Sequence, residues 1–124
     1  MRFSFENLIV YQEARKLVVE VYRIIDCLPK HESYSLSSQL RRAVISVKSN
    51  IAEGCGRISY KEKSHFIEIA CGSLFETYSQ LEAYVDLNYI EAERLDILKP
   101  RFHEIARLLS ALRKAYTDKL NPKP

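Results

Sequence analysis

Apolar residues recur along this chain at three- and four-residue intervals, the period that lines one side of an α-helix. Ala14, Leu17, Val18, Val21, Tyr22, Ile25 and Leu28 make the first stripe, behind an entry segment carrying Phe3, Phe5 and Leu8. Pro29 stops it, because proline has no N–H to give and clashes with the preceding turn. The pattern predicts a helix over 8–27, then a polar loop over 30–34. A second stripe, Leu36, Leu40, Ala43, Val44, Val47 and Ile51, predicts a helix over 36–54. Gly54 and Gly56 are expected to end it in the left-handed cap conformation that glycine adopts at little cost. Ser59 and Glu62 have the spacing of a capping box, which opens a third helix running to Leu87. Its core face is Ile67, Ala70, Leu74, Tyr78, Leu81 and Val85. The last stripe is Leu98, Phe102, Ile105, Leu108, Leu109, Leu112 and Tyr116, with Pro100 inside it. The expectation there is a kink, or a helix that begins near Lys99 after a short turn over 92–98. Four amphipathic helices with short connections predict an all-α, up-and-down antiparallel four-helix bundle. It occupies one domain over 1–120, followed by a flexible tail over 121–124 that is too polar and proline-rich to pack.

Placing residues at steps of about 100° assigns the helical faces. On the second helix Arg41 and Lys48 share a flank with Ile45, while Arg42, Ser49 and Glu53 face outward. The third helix carries a second apolar stripe of Phe66, Ile69, Tyr84 and Leu87 beside its core face. So wide an arc is buried on more than one side. With Ile45 it predicts a contact between subunits of an oligomer. Glu68, Glu82 and Asp86 form an acidic edge, and His103, Arg107 and Lys114 line the solvent face of the fourth helix.

Composition narrows the function classes. The chain has 124 residues, one domain's worth, with 47% hydrophobic and 28% charged residues. Three glycines and four prolines are too few for a turn-rich β-sandwich or barrel. No apolar run approaches the roughly 18 residues of a membrane span, so no membrane association is expected. The opening residues do not resemble a secretory leader. Cys27, Cys55 and Cys71 are odd in number and form no C-x-x-C, which fits free thiols in a cytoplasmic protein. His31, His65 and His103 are scattered and assemble no metal set. Gly54-Cys55-Gly56 lacks the Lys-Ser/Thr of a phosphate loop. Glu68, Glu76 and Glu82 lack the Glu-x-x-His of di-iron bundles, and no Ser/His/Asp grouping is evident. The expectation is a protein that is not an enzyme and uses no cofactor or metal.

Net charge is only +3, yet it is unevenly spread. Residues 41–63 carry Arg41, Arg42, Lys48, Arg57, Lys61 and Lys63 against Glu53 and Glu62. Residues 64–93 carry Glu68, Glu76, Glu82, Asp86, Glu91 and Glu93 with no Lys or Arg. One reading pairs Arg41 or Arg42 with a carboxylate of the third helix such as Glu76. The other makes Arg41, Arg42, Lys48, Arg57, Lys61 and Lys63 phosphate contacts, with Arg107 and Lys114 behind them. No aromatic is expected among these cations, so base stacking is not.

Several motifs together resemble a known family. They are Phe5-x-x-Leu8-x-Val10-Tyr11-Gln12-x-Ala14, Gln39-Leu40-Arg41-Arg42-Ala43, Asn50-Ile51-Ala52-Glu53-Gly54-x-Gly56-Arg57 and Ile69-Ala70-x-Gly72-Ser73-x-x-Glu76. In this the chain is similar to the bacterial 23S rRNA intervening-sequence proteins, over nearly its whole length. The resemblance implies a small bundle that assembles into a ring-like homopentamer, of a gene class carried in inserted segments of large-subunit ribosomal RNA genes. A related bundle, the accessory variability determinant of diversity-generating retroelements, is a basic pentamer that binds a reverse transcriptase and nucleic acid. The function implied is a binding module associated with RNA, DNA or a ribonucleoprotein. The alternative is a protein-interaction scaffold that takes a protein partner on its acidic edge or apolar stripe. Asn50, Glu53, Gly54, Gly56 and Glu76 fall on the family motifs as structural residues, and Asn50, Glu53 and Arg57 are spaced to tie the end of the second helix to its neighbours.

Overall fold

The computed structural model describes residues 2–32 and 35–120. A single 3-10 turn, Ser4–Asn7, leads into α1 (Ile9–Ile25), α2 (Leu36–Gly56), α3 (Tyr60–Asp86) and α4 (Ala92–Leu120). A second 3-10 turn, Lys30–Glu32, lies between α1 and α2. No strand occurs among the described residues. The links over 57–59 and 87–91 are too short for anything but reversal, so the helices run up and down. Consecutive helices pack together, α4 returns against α1, and the broadest contact is between α2 and α3. The predicted stripes supply the core: Leu17, Val21, Leu40, Val44, Val47, Ile51, Ile67, Leu74, Leu81, Ile105 and Leu109 are all fully buried. The predicted four-helix architecture is the observed one.

The structure makes three corrections. α2 does not stop at a left-handed glycine. It continues through Gly56, no glycine has a positive φ, and Arg57 leaves the helix in an extended conformation at φ −76° and ψ 151°. Gly54 is there for space. A Cβ at this position would lie 3.0 Å from the Phe66 Cβ and 3.2 Å from the Lys63 carbonyl oxygen, both on the incoming α3. The positive φ falls instead at Asn88, 63°, after α3. Tyr89 donates its N–H to the Tyr84 carbonyl at 2.9 Å and Asn88 donates to Val85 at 3.0 Å. This is a Schellman end with asparagine in the glycine place, closed by the edge-on contact of the Tyr84 and Tyr89 rings at 6.3 Å. At the other end of α3 the expected cap is present: Ser59 Oγ accepts from the Glu62 N–H at 3.1 Å.

Pro100 does not open α4, which runs unbroken from Ala92 to Leu120 with the proline inside it. A proline in a helix interior costs about 3 kcal/mol. Leu95 and Leu98 before it and Phe102 and Ile105 after it all reach the same core, so packing on both sides holds the helix through the exposed proline. The third correction is Tyr84, expected in a contact between subunits. Its exposure is 0%, and it fills the core beneath the α3–α4 turn. An ionic clamp that periodicity did not reveal joins α1 to α4, where the Arg101 guanidinium pairs with both Glu13 and Glu20, two turns apart on α1.

The two glycines of α2 separate space from conformation. Gly54→Ala should lower stability by about 1–3 kcal/mol, since α3 backbone and Cβ atoms meet the new methyl. Nothing lies within 4 Å of a Cβ on Gly56. Gly56→Ala should therefore be neutral or stabilising by up to about 1 kcal/mol, because alanine loses less entropy in a helix. Urea midpoints of the two variants check this; a large loss at Gly56 would mean that the position needs glycine's conformational freedom after all.

Candidate functional site

The cations predicted to act together are sorted by the fold into two sets. Lys63, on the first turn of α3, donates its ammonium to the Cys55 carbonyl at 2.8 Å and lies 5.8 Å from the Tyr116 ring centre. It satisfies a last-turn carbonyl of α2, where the helix dipole favours a cation. Arg57 stacks on Phe66 at 4.5 Å and lies 3.9 Å from Glu53. Arg107 chelates Glu104 through two bonds, at 2.7 and 3.1 Å, and this hydrogen bonding holds the Glu104 carboxyl below its ordinary range. Lys114 pairs with Asp118 at 3.2 Å. These four are engaged with the chain's own groups.

Arg41, Arg42, Lys48 and Lys61 have no carboxylate partner among the described residues. Lys61 stands apart on α3. The other three lie on the outer side of α2, as their spacing predicts. Arg41 and Arg42 border a shallow groove between α1 and α2 whose lining is completed by Tyr22, Ile45, Ser46, Ser49, Asn50 and Glu53. Lys48, two turns along the helix from Arg41, lies outside that lining. Arg41 lies 6.0 Å from the Tyr22 ring centre. An aromatic ring therefore does sit among these cations, contrary to expectation. It comes from α1, and sequence separation hid it, as it hid Phe66 and Tyr116 beside Arg57 and Lys63.

Arg42 also overlooks a second depression, between α2 and α3, lined by Gln39, Ala43, Ser46, Ser73 and Glu76. Neither Arg41 nor Arg42 forms an ion pair with Glu76 among the described residues; Glu76 accepts instead from Gln80 at 3.1 Å. Ser46 and Ser73 join the two helices at 2.8 Å. Asn50 donates to both the carbonyl and the hydroxyl of Ser46 at 2.8 Å, and Thr77 donates to the Ser73 carbonyl at 2.8 Å. Asn50 thus ties α2 to α3, but through Ser46, while Glu53 and Arg57 face each other along their own chain segment.

The expected apolar contact surface is broken up. Ile45 packs on the chain's own core, and Phe66 is half-buried under Arg57. Ile69 and Leu87 stay exposed, at 38% and 51%. They share a side of α3 but stand about 27 Å apart along it. On the acidic edge, Glu68 reaches Arg113 at 3.5 Å. Glu82 and Asp86 have no ion-pair partner among the described residues.

No cluster of His, Cys, Asp and Glu able to hold a metal occurs among the described residues, and none of the described helices is long and apolar enough to cross a membrane. The three thiols differ. Cys27 is exposed, whereas Cys71 is half-buried and its pKa is raised by desolvation, against a smaller opposing pull from Arg113. A raised pKa leaves less thiolate at any given pH. Iodoacetamide at pH 8 should accordingly modify Cys27 well before Cys71, as read by peptide mass spectrometry; equal rates would contradict the burial.

A family model described as 23S rRNA-intervening sequence protein matches residues 6–111. Among solved structures, the chain is similar to a protein of unknown function from the S23 ribosomal protein family of Bacteroides thetaiotaomicron. The TM-score is 0.78 at 23% identity, covering 86% of this chain and 99% of that chain. At that identity the likeness carries the fold alone. No curated protein matches.

Proposed function

The chain belongs to the 23S rRNA-intervening sequence protein family, and from that premise we propose that it is a non-catalytic module that holds an RNA backbone along the α1–α2 groove. The observation that carries this reading is the division of the cations. Arg57, Lys63, Arg107 and Lys114 are engaged at home, while Arg41 and Arg42 line one groove and Lys48 lies further along the same helix, all three with no carboxylate partner among the described residues. Arg41 and Arg42 are adjacent like charges that repel each other in the free protein, because Glu53, the carboxylate in the same groove lining, lies against Arg57 instead. A polyanion relieves that repulsion and releases its own counterions on binding. Ser49 and Asn50 add neutral groups beside the cations, and the Tyr22 ring gives one apolar wall.

Three cations are a small footprint for one chain. A homo-oligomer repeats the groove and turns weak contacts into avidity. In this reading assembly is part of the function, because one copy alone binds too weakly to be selective. Contacts of this kind position a backbone without reading bases.

Fluorescence anisotropy with a single-stranded RNA oligonucleotide across a salt series tests the reading. Affinity should fall steeply between about 50 and 200 mM salt. Arg42→Ala and Lys48→Ala should each weaken binding and flatten the log–log salt slope by about one. Arg107→Ala should change neither. Salt-independent binding, or Arg42 and Lys48 variants indistinguishable from the parent, would reject this groove.

A further inference from the structure

Ile58 is 98% exposed, more than any other large apolar residue described. It does not sit on a slack loop. Its two neighbours are both fixed: Arg57 donates its N–H to the Gly54 carbonyl at 3.2 Å and stacks on Phe66, and Ser59 caps α3. The isoleucine is held out between Arg57 and, one helical step further, Lys61. A side chain presented this rigidly loses little freedom when a partner covers it.

On another part of the molecule lies the matching shape. α3 and α4 flank an open, mainly apolar hollow of about 130 Å³, walled by Leu74, Phe75, Tyr78, Phe102 and Ala106 with His103 beside them. Phe75 is 61% exposed at its edge. A separate depression on the other side of Tyr78, between the same two helices, is lined by the carboxylates Glu82, Asp86 and Asp96. None of the three has an ion-pair partner among the described residues. Lys99, on the rim, leans over the Tyr78 ring at 6.0 Å.

We propose that the α3–α4 hollow receives Ile58 of a second copy of this chain, with Arg57 and Lys61 of that copy set against Glu82, Asp86 and Asp96. The knob is apolar with cations on both sides, and the socket is mainly apolar with carboxylates in the depression beside it. Knob and socket are different surfaces of the same chain, so the contact is head-to-tail. Repeated, it closes into a ring or runs on as a filament. This assigns Arg57 and Lys61 to assembly and leaves Arg41, Arg42 and Lys48 for phosphate. It names the contact behind the oligomer invoked above, but it does not depend on RNA binding.

Sedimentation of nuclease-treated full-length protein tests it. The parent should be oligomeric at micromolar concentration. Ile58→Asp should weaken association by about 10–100-fold, the loss expected for one buried aliphatic side chain. Its circular dichroism should match the parent, because Ile58 touches no core. Arg57→Glu/Lys61→Glu and Glu82→Lys/Asp86→Lys should each dissociate alone, and mixing the two should restore association, since each variant then offers the charge the other needs. Because the two must alternate, the readout is reassociation into mixed species and not return of the parent mass. A monomeric parent, an Ile58→Asp variant that keeps the parent mass, or a mixture that stays dissociated would overturn the proposal. The Arg42 and Lys48 anisotropy series stands apart from these measurements, so failure of the RNA reading and failure of this contact are told apart.

Discussion

The close approach of α2 to the start of α3 at Gly54 is the constraint on which the rest of the structure depends. With no side chain at 54, the Phe66 Cβ and the Lys63 carbonyl can crowd the last turn of α2. Three consequences follow from that proximity. Lys63 comes within reach of the Cys55 carbonyl and closes the helix end electrostatically. Phe66 comes under Arg57 and holds the guanidinium flat. The link over 57–59 is pulled taut, which leaves Ile58 no neighbour to pack on. One missing methyl thus positions the corner where the two longest-shared helix faces meet.

Below that corner, a seam of small and polar groups joins α2 and α3 beside the apolar core. Ala43 and Ala70 are buried near the Ser46–Ser73 bond, and Asn50 and Thr77 complete the seam. Buried hydroxyls must be satisfied, and here each side chain meets another group of the same seam. A seam of this kind sets helix register, because sliding by one residue would leave donors and acceptors unpaired. On the opposite side, α1 and α4 are joined by Arg101 with Glu13 and Glu20. Apolar burial supplies the driving force for the bundle, and these two polar linkages choose one packing among several.

The same geometry divides the charged residues by role. A cation bonded to its own carboxylate or carbonyl is already stabilised and gains little from a phosphate. A cation on an outer helix face with no such neighbour gains most. That criterion separates Arg42 and Lys48 from Arg107 and Lys114, which the charge count had placed in one class. The small net charge conceals this, because it sums groups whose neighbours differ.

The sequence by itself determined the helices and their inward faces. Spacing at three and four residues fixes which side of a helix is apolar whatever it packs against, and Ser59 marks the start of α3 by a bond that spans only three residues. Family motifs were equally legible, because they are local strings. The helix ends were less so: Gly54, Gly56 and Pro100 were read for their conformational habits. Packing decided otherwise, keeping α2 helical through both glycines and α4 through its proline. Only the tertiary structure decided which neighbours meet. Tyr22 beneath Arg41, Phe66 beneath Arg57, Arg101 between Glu13 and Glu20, and Tyr84 inside the core all depend on how far helices rotate and approach. Periodicity carries the direction of a side chain from its own axis, but not the distance to the next helix, and the energy of a charge is set by that distance.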